Sequence, residues 1–182
     1  MLVVAEPEQL PVAAARTGDA EAWNTLFKRY QLPLYTYVFE LIHDEQVSLD
    51  LVQETFISAA RYIKGLRQDD KFGSWLFGIA HQKCVQRWRK KRPEEIPIEE
   101  SAGGFPDEAD NPEDLLIRKE QEVEFMKCLD ELAPPHRAVL LLHFIEGFSL
   151  EEIAGVTGTS VGTVKSRLHY AKKSLKKRVN LL

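Results

Sequence analysis

Between Pro93 and Pro112 the chain places four prolines (Pro93, Pro97, Pro106 and Pro112), the Gly103–Gly104 pair, and Glu94, Glu95, Glu99, Glu100, Asp107, Glu108 and Asp110. Proline removes a backbone donor and fixes φ, and like charges extend the chain and resist collapse. A segment of this kind cannot be built into a core, so residues 93–112 read as a linker. In a chain of 182 residues that leaves two modules, 1–92 and 113–182, each small and each able to make one modest core.

Both modules read as helical, which predicts an all-α protein of two small helical domains joined by a flexible acidic Pro-rich linker. In the first, Thr17 or Asp19 can cap a helix whose apolar positions Trp23, Leu26, Phe27 and Tyr30 recur at three and four residues. Pro33 is expected to bend or restart it. Asp44 precedes a stripe of Val47, Leu51, Val52, Phe56 and Ala59, with Asp50, Gln53 and Glu54 opposite. Beyond Gly73, Ser74 can cap a third helix carrying Trp75, Leu76, Ile79, Val85 and Trp88. No stretch alternates for long as a strand would, and no internal repeat is evident.

The second module is predicted to open with a helix near Pro112–Asp114 whose apolar positions run to Leu129. Pro134–Pro135 breaks the chain ahead of the apolar run Ala138–Ile145. The next stretch is the most informative. Ser149 with Glu152 three residues later forms a capping box, Ile153, Ala154 and Val156 make a short apolar face, and Gly158 permits a tight turn. Ser160 can then cap a helix on which Val161, Val164, Leu168, Ala171 and Leu175 point inward. Gly162, Thr163, Lys165, Ser166, Arg167, His169 and Lys172 are expected outward. A short helix, a glycine turn and a second helix with small polar and basic outward residues make a helix-turn-helix.

The formal net charge of −4, taken alone, argues against a nucleic-acid binder. Its distribution argues the other way. Residues 81–92 hold six basic and no acidic side chains, residues 153–182 seven and none, and residues 93–124 two against twelve. Two basic blocks therefore flank an acidic bridge. On the second block, Ser160, Thr163, Lys165 and Ser166 have the size to approach base edges, while Arg167, Lys172, Lys173, Lys176 and Lys177 can neutralise phosphates. A Lys-rich helix end also complements the helix dipole, but the capping box, turn and inward stripe together favour DNA. In the first block Trp88 stands among Arg87, Arg89, Lys90 and Lys91, with Phe72, Trp75 and Phe77 upstream. Aromatics among cations suit stacking on unpaired bases beside a phosphate-tracking groove. Trp75 and Phe77 fit equally well as core.

Other chemistry finds little support. Asp50, Gln53 and Glu54 read as a solvated or protein-docking face rather than acid/base machinery. His81 and Cys84 share a helical face, but two ligands do not make a zinc site, so no metal, cofactor or catalytic residue is expected. Two cysteines, Cys84 and Cys128, exclude a disulfide framework and point to a reducing cytoplasm. No run reaches the roughly 20 apolar residues of a membrane span, and the start, with Glu6 and Pro7, does not read as a signal peptide. No membrane insertion is expected.

These residues together resemble the extracytoplasmic-function (ECF) group of bacterial sigma factors in the sigma-70 family, over nearly the whole chain. GDAEAWNTLFKRY at 18–30 is similar to the opening helix of region two, and DLVQETFISAARYI at 50–63 to its segment that docks on the β′ clamp helices of polymerase. FGSWLFGIAHQKCVQRWRKKR at 72–92 resembles the part that melts and captures the minus-ten element. Residues 129–177 look like region four, which reads the minus-thirty-five element. The resemblance implies a transcription initiation subunit without an active site of its own. Its implied docking residues are Asp50, Leu51, Gln53, Glu54 and Phe56. Its implied minus-ten residues are Lys71, His81, Gln82, Lys83, Gln86, Arg87, Trp88, Arg89 and Lys90. Ser160, Gly162, Thr163, Lys165, Ser166, Arg167, His169 and Lys172 would read the minus-thirty-five element. The implied partners are core RNA polymerase (β′ clamp helices and β flap), promoter DNA and an anti-sigma factor. Two departures stand out: His81-Gln82 occupies the place of a frequent Arg-Asn, and Tyr170 that of a frequent Arg. The alternatives are a helix-turn-helix regulator acting without polymerase docking, and a thiol or metal enzyme using Cys84 with His81.

Overall fold

A computed structural model describes residues 10–91 and 129–179. The predicted linker and most of the helix expected from Pro112–Asp114 onward lie outside the described residues. The chain divides into two compact units, Met1–Arg87 and Trp88–Leu182. The described elements are all helical, as expected, with no strand among the described residues.

The first unit begins with α1 (Val12–Arg16) and α2 (Ala20–Ile42). Of the two candidate caps, Asp19 is the one used: its side chain accepts from the Ala22 N–H at 2.9 Å, while Thr17 closes α1 by donating to the Ala14 carbonyl. The expected restart at Pro33 does not occur, because α2 runs unbroken through it. Leu26 and Leu34, Tyr37, Val38 and Leu41 on either side of the proline are all buried, and that burial outweighs a lost helical hydrogen bond and ring clash of about 3 kcal/mol. His43 ends α2 in the left-handed region (φ 52°) with its N–H on the Phe39 carbonyl. Asp44 at once caps α3 (Glu45–Tyr62) through the Val47 N–H at 3.0 Å. A two-residue connection between long helices makes an antiparallel helical hairpin.

Two 3-10 turns, Ile63–Gly65 and Asp69–Lys71, lead to α4 (Phe72–Lys91). They are tied back to α1 by Arg16, which donates to the Leu66 carbonyl at 3.1 Å and pairs with Asp69. Contrary to the expectation from sequence, Ser74 does not cap α4. The helix starts earlier, at Phe72, and the Ser74 hydroxyl donates to the Lys71 carbonyl instead. The inward stripe of α4 is Phe72, Leu76, Phe77, Ala80, His81 and Cys84, all buried. It seats on α2. Phe72 packs against Tyr30 (centroids 5.6 Å apart) and Phe77 edge-on against Tyr37 (5.3 Å), and Gly73 lies so close to Tyr30 that a Cβ would stand 2.9 Å from its hydroxyl. Trp75 is half-buried beside Phe72, between the two roles open to it from sequence.

The second unit contains α5 (Pro134–Phe144), α6 (Leu150–Thr157) and α7 (Val161–Val179). The proline pair expected to break the chain opens α5 at its first positions, where a missing N–H costs nothing. Arg137 is 4% exposed and clamps the turn before α5, donating to the carbonyls of Asp130 and Leu132. The capping box is complete: Ser149 Oγ accepts from the Glu152 N–H, and the Glu152 carboxylate accepts from the Ser149 N–H. Gly158 closes α6 in the left-handed region (φ 65°), and Ser160 Oγ accepts from the Thr163 N–H at 3.1 Å to start α7. Leu140 and Leu142 on α5, Ile153 and Val156 on α6, and Val164, Leu168, Ala171 and Leu175 on α7 close one core.

Two glycines three residues apart give opposite predictions. Gly155 lies within α6 with open space where a Cβ would go, so Gly155→Ala should stabilise the protein by about 0.5–1 kcal/mol. Gly158→Ala should destabilise it by about 1–2 kcal/mol, because φ is positive there. Urea denaturation of both variants measures the sign; equal signs would contradict the turn.

Candidate functional site

The polar face predicted on α3 is real. Asp50, Gln53 and Glu54 are exposed, and beside them lies an open groove of about 710 Å³ between α2 and α3, lined by Phe27, Gln31, Leu32, Tyr35, Leu49, Val52, Gln53, Phe56 and Ile57. Its apolar lining is unusually bare: Leu32 is 68%, Ile57 54%, Leu49 48% and Phe27 42% exposed. Apolar side chains gathered at one surface with a polar rim mark an interaction site. Phe56 stands at its floor against Phe27, ring centroids 4.8 Å apart.

Leu51 does not belong to this surface. It is buried with Val52, Thr55 and Ala59 on the inward side of α3, so it holds the helix rather than a partner. Conversely, sequence reasoning missed Leu32, Tyr35, Leu49 and Ile57. Leu49 and Ile57 fall outside the inward stripe and bracket the acidic face, a signal that periodicity treats as noise. Spacing from Trp23 and Tyr30 predicts Phe27 inward, yet it opens onto the groove.

Along α4, Gln82, Gln86, Arg89 and Lys90 are exposed, and Lys83, Arg87 and Trp88 are partly so. Spacing puts Gln82, Gln86 and Arg89 on the side of the helix away from the buried stripe and Lys83 and Lys90 at its edge, whereas Arg87 and Trp88 follow Cys84 by three and four residues and share the stripe's side. Lys71 lies just ahead of this helix, its ammonium 4.0 Å from the Asp70 carboxylate. His81 is a correction to the expected set. It lies with Phe77 and Cys84 on the inward stripe, 7% exposed, and its Nδ1 shares a 2.8 Å hydrogen bond with the Tyr37 hydroxyl. A ring held there positions α4 and cannot meet a base. The same geometry accounts for histidine at this departure from the usual pattern, since it satisfies a buried tyrosine hydroxyl. Lys83 Nζ approaches Glu54 Oε2 at 3.4 Å, which joins the basic face of α4 to the acidic rim of α3.

Cys84 is fully buried, and desolvation pushes its thiol up to about 12, with a backbone hydrogen bond working weakly against the shift. A thiol held protonated is neither nucleophile nor ready ligand. Because the folded state keeps the proton that an unfolded thiol loses from about pH 9 upward, stability should fall between about pH 9 and 12. That slope should be smaller in Cys84→Ala, read as denaturation midpoints of the two proteins at about pH 8 and about pH 10.

On α7 the expected outward residues divide. Ser160, Gly162, Lys165 and His169 are exposed, and Thr163, Arg167 and Lys172 are half-buried. Ser166 is a second correction: it is 2% exposed and its hydroxyl donates to the Thr163 carbonyl at 2.9 Å. It stands two residues from both Val164 and Leu168, on the side of α7 opposite the apolar stripe, so the helical period by itself predicts it outward. Lys172 reaches back over the Phe144 ring, 5.1 Å from its centroid, a cation–π contact that braces α7 on α5. Tyr170 is 46% exposed, near His136 and His169.

Comparison with known proteins places these surfaces in a family. The family profile "Sigma-70 region 2" matches residues 26–94, and "Sigma-70, region 4" matches residues 122–175. The RNA polymerase sigma-H factor of Pseudomonas aeruginosa is 30% identical over 100% of this chain and 98% of its own length. The ECF RNA polymerase sigma-E factor of Salmonella typhimurium (strain 14028s / SGSC 2262) is 31% identical over 96% of this chain and 95% of its own. Among solved structures, the sigma factor RpoE of Bartonella quintana, in complex with the anti-sigma factor NepR, matches with a TM-score of 0.63 at 26% identity, covering 85% of this chain and 96% of that one. CnrH, solved with the cytosolic domain of CnrY, shares the fold at a TM-score of 0.66 and 24% identity, over 93% of this chain and 95% of its own. End-to-end similarity to named ECF sigma factors, with both family regions in their order, means that this chain belongs to the ECF group of the sigma-70 family of RNA polymerase sigma factors.

Proposed function

We propose that this protein is a promoter-specificity subunit that docks on core RNA polymerase and directs initiation from its own promoters, under the control of an anti-sigma factor. The observation that carries the reading is the full-length match in which region two and region four occur in one chain and in family order. Docking is assigned to Asp50, Gln53, Glu54 and Phe56 with the apolar lining of the α2–α3 groove, facing the β′ clamp helices. The minus-ten element is assigned to Lys71, Gln82, Lys83, Gln86, Arg87, Trp88, Arg89 and Lys90. Capture of an extruded base there compensates unstacking that costs a few kcal/mol. The minus-thirty-five element falls to Ser160, Gly162, Thr163, Lys165, Arg167, His169 and Lys172. Phosphate contacts position α7 and base contacts specify it, while the same unit meets the β flap.

The anti-sigma partner is inferred from the relative solved with one. The protein carries no catalysis of its own, and the buried, protonated Cys84 weighs against a thiol enzyme. Work on polymerase assigns it to the cytoplasm, and no described helix is long and apolar enough to cross a membrane.

Run-off transcription with purified core polymerase on the protein's own promoter tests the reading: open complexes form only when the protein is present. A conventional operator binder would bind the DNA yet leave core polymerase silent. Ile57→Arg, at an exposed position, should weaken association with core polymerase at least tenfold while leaving the melting temperature unchanged, since central apolar anchors dominate interfaces. Unchanged association removes the groove from the docking surface. Lys165→Ala should lose more affinity for promoter than for random duplex DNA. Equal losses on both would reduce Lys165 to a phosphate contact.

A further inference from the structure

The ion pair between Glu54 and Lys83 joins two surfaces to which the proposed function gives different partners. Glu54 stands on the acidic rim of α3, and Lys83 on the basic face of α4, 29 residues later. They meet at 3.4 Å, and their exposures are unequal: the Glu54 side chain is 59% exposed, the Lys83 side chain 20%. The lysine is thus laid against α3 rather than held out toward a ligand, whereas the carboxylate that holds it is open to an arriving partner. Its neighbour Asp50 is differently engaged, accepting from Gln46 Nε2 at 3.2 Å.

We propose that this pair is a gate coupling polymerase docking to DNA engagement. In the free protein Glu54 neutralises Lys83 and keeps it off DNA. Docking draws the Glu54 carboxylate to a cationic group of polymerase, and Lys83 swings out to a backbone phosphate. The inference rests on the proposed assignment of α3 to polymerase and α4 to DNA. Three physical points carry it. An ion pair whose carboxylate stands in solvent contributes little to folding, so exchanging its partner costs little. A phosphate is an anion equivalent to the carboxylate it replaces, so the lysine is never left bare. Removing one positive charge from the DNA face weakens the sequence-independent attraction that supports binding, so a free subunit with Lys83 paired holds DNA less well than one docked.

A double-mutant cycle tests the gate. Full-length protein, Glu54→Gln, Lys83→Gln and the double variant are titrated against a fluorescent single-stranded 12-mer at low salt, with Asp50→Asn as a control for bulk charge. Glu54→Gln should tighten binding about two- to fivefold, and that gain should vanish in the Lys83→Gln background and shrink with added salt. The same cycle is then read as open-complex lifetime on the run-off promoter with core polymerase saturating, where the coupling between positions 54 and 83 should disappear. No gain from Glu54→Gln, an equal gain from Asp50→Asn, a gain that survives Lys83→Gln, or coupling that persists with polymerase bound would each overturn the gate. If Lys83→Gln itself leaves DNA binding unaltered in both settings, the assignment of α4 to DNA falls, and the gate with it.

Discussion

The seating of α4 on α2 is the contact on which both surfaces of the first unit depend. Phe72 and Phe77 pack against Tyr30 and Tyr37, Gly73 permits the close approach to Tyr30, and the His81–Tyr37 hydrogen bond closes the interface in the interior. A buried hydroxyl left without a partner costs free energy comparable to a lost hydrogen bond or more, so the pair also fixes the rotation of α4. With the inward stripe fixed, the remaining side of the helix must present Gln82, Gln86, Arg89 and Lys90 to solvent. The basic face is thus a consequence of how the apolar face is satisfied.

The same economy of faces operates on α2 and α3. Their hairpin buries Leu34, Val38, Leu41, Leu51, Val52 and Ala59, yet helices of 23 and 18 residues carry more apolar surface than one small core absorbs. Leu32, Leu49 and Ile57 are left over and line the groove. An isolated protein gains nothing from such exposure; a subunit that spends its working life bound to a larger partner does, because the surface is buried on assembly. Unequal distribution of charge fits the same logic. Under the proposed function, a net charge of −4 limits non-specific DNA binding by the free chain, while two locally basic helices serve when polymerase supplies the remaining contacts.

Much of this was legible in the residue order. Asp19, Asp44, Ser149 and Ser160 cap helices where their spacing says they should, and Glu152 completes its box, because capping is a local matter of one side chain and a backbone N–H two or three residues on. The exposed face of Asp50, Gln53 and Glu54 and the inward stripe of α7 follow from period alone. Errors arose where a residue had two roles compatible with the same period. Ser74 is as good a cap as any by type, but burial of Phe72 pulled the helix start three residues earlier. Pro33 breaks helices by local rule, and packing on both sides overrode it.

The sequence by itself determined most of the helices and their caps and the two motifs that mark the family, since all of these depend on near neighbours in the chain. Only the tertiary structure decided which members of each motif face outward. His81 turned to Tyr37, Ser166 to the Thr163 carbonyl and Leu51 to the core, while Phe27, Leu32, Leu49 and Ile57 came together as one groove. Lys83 met Glu54 in the same way. Each of these outcomes depends on what a second helix, or the next turn of the same one, places opposite the residue. For all but Ser166, that information is carried by packing between distant segments, and no local period contains it.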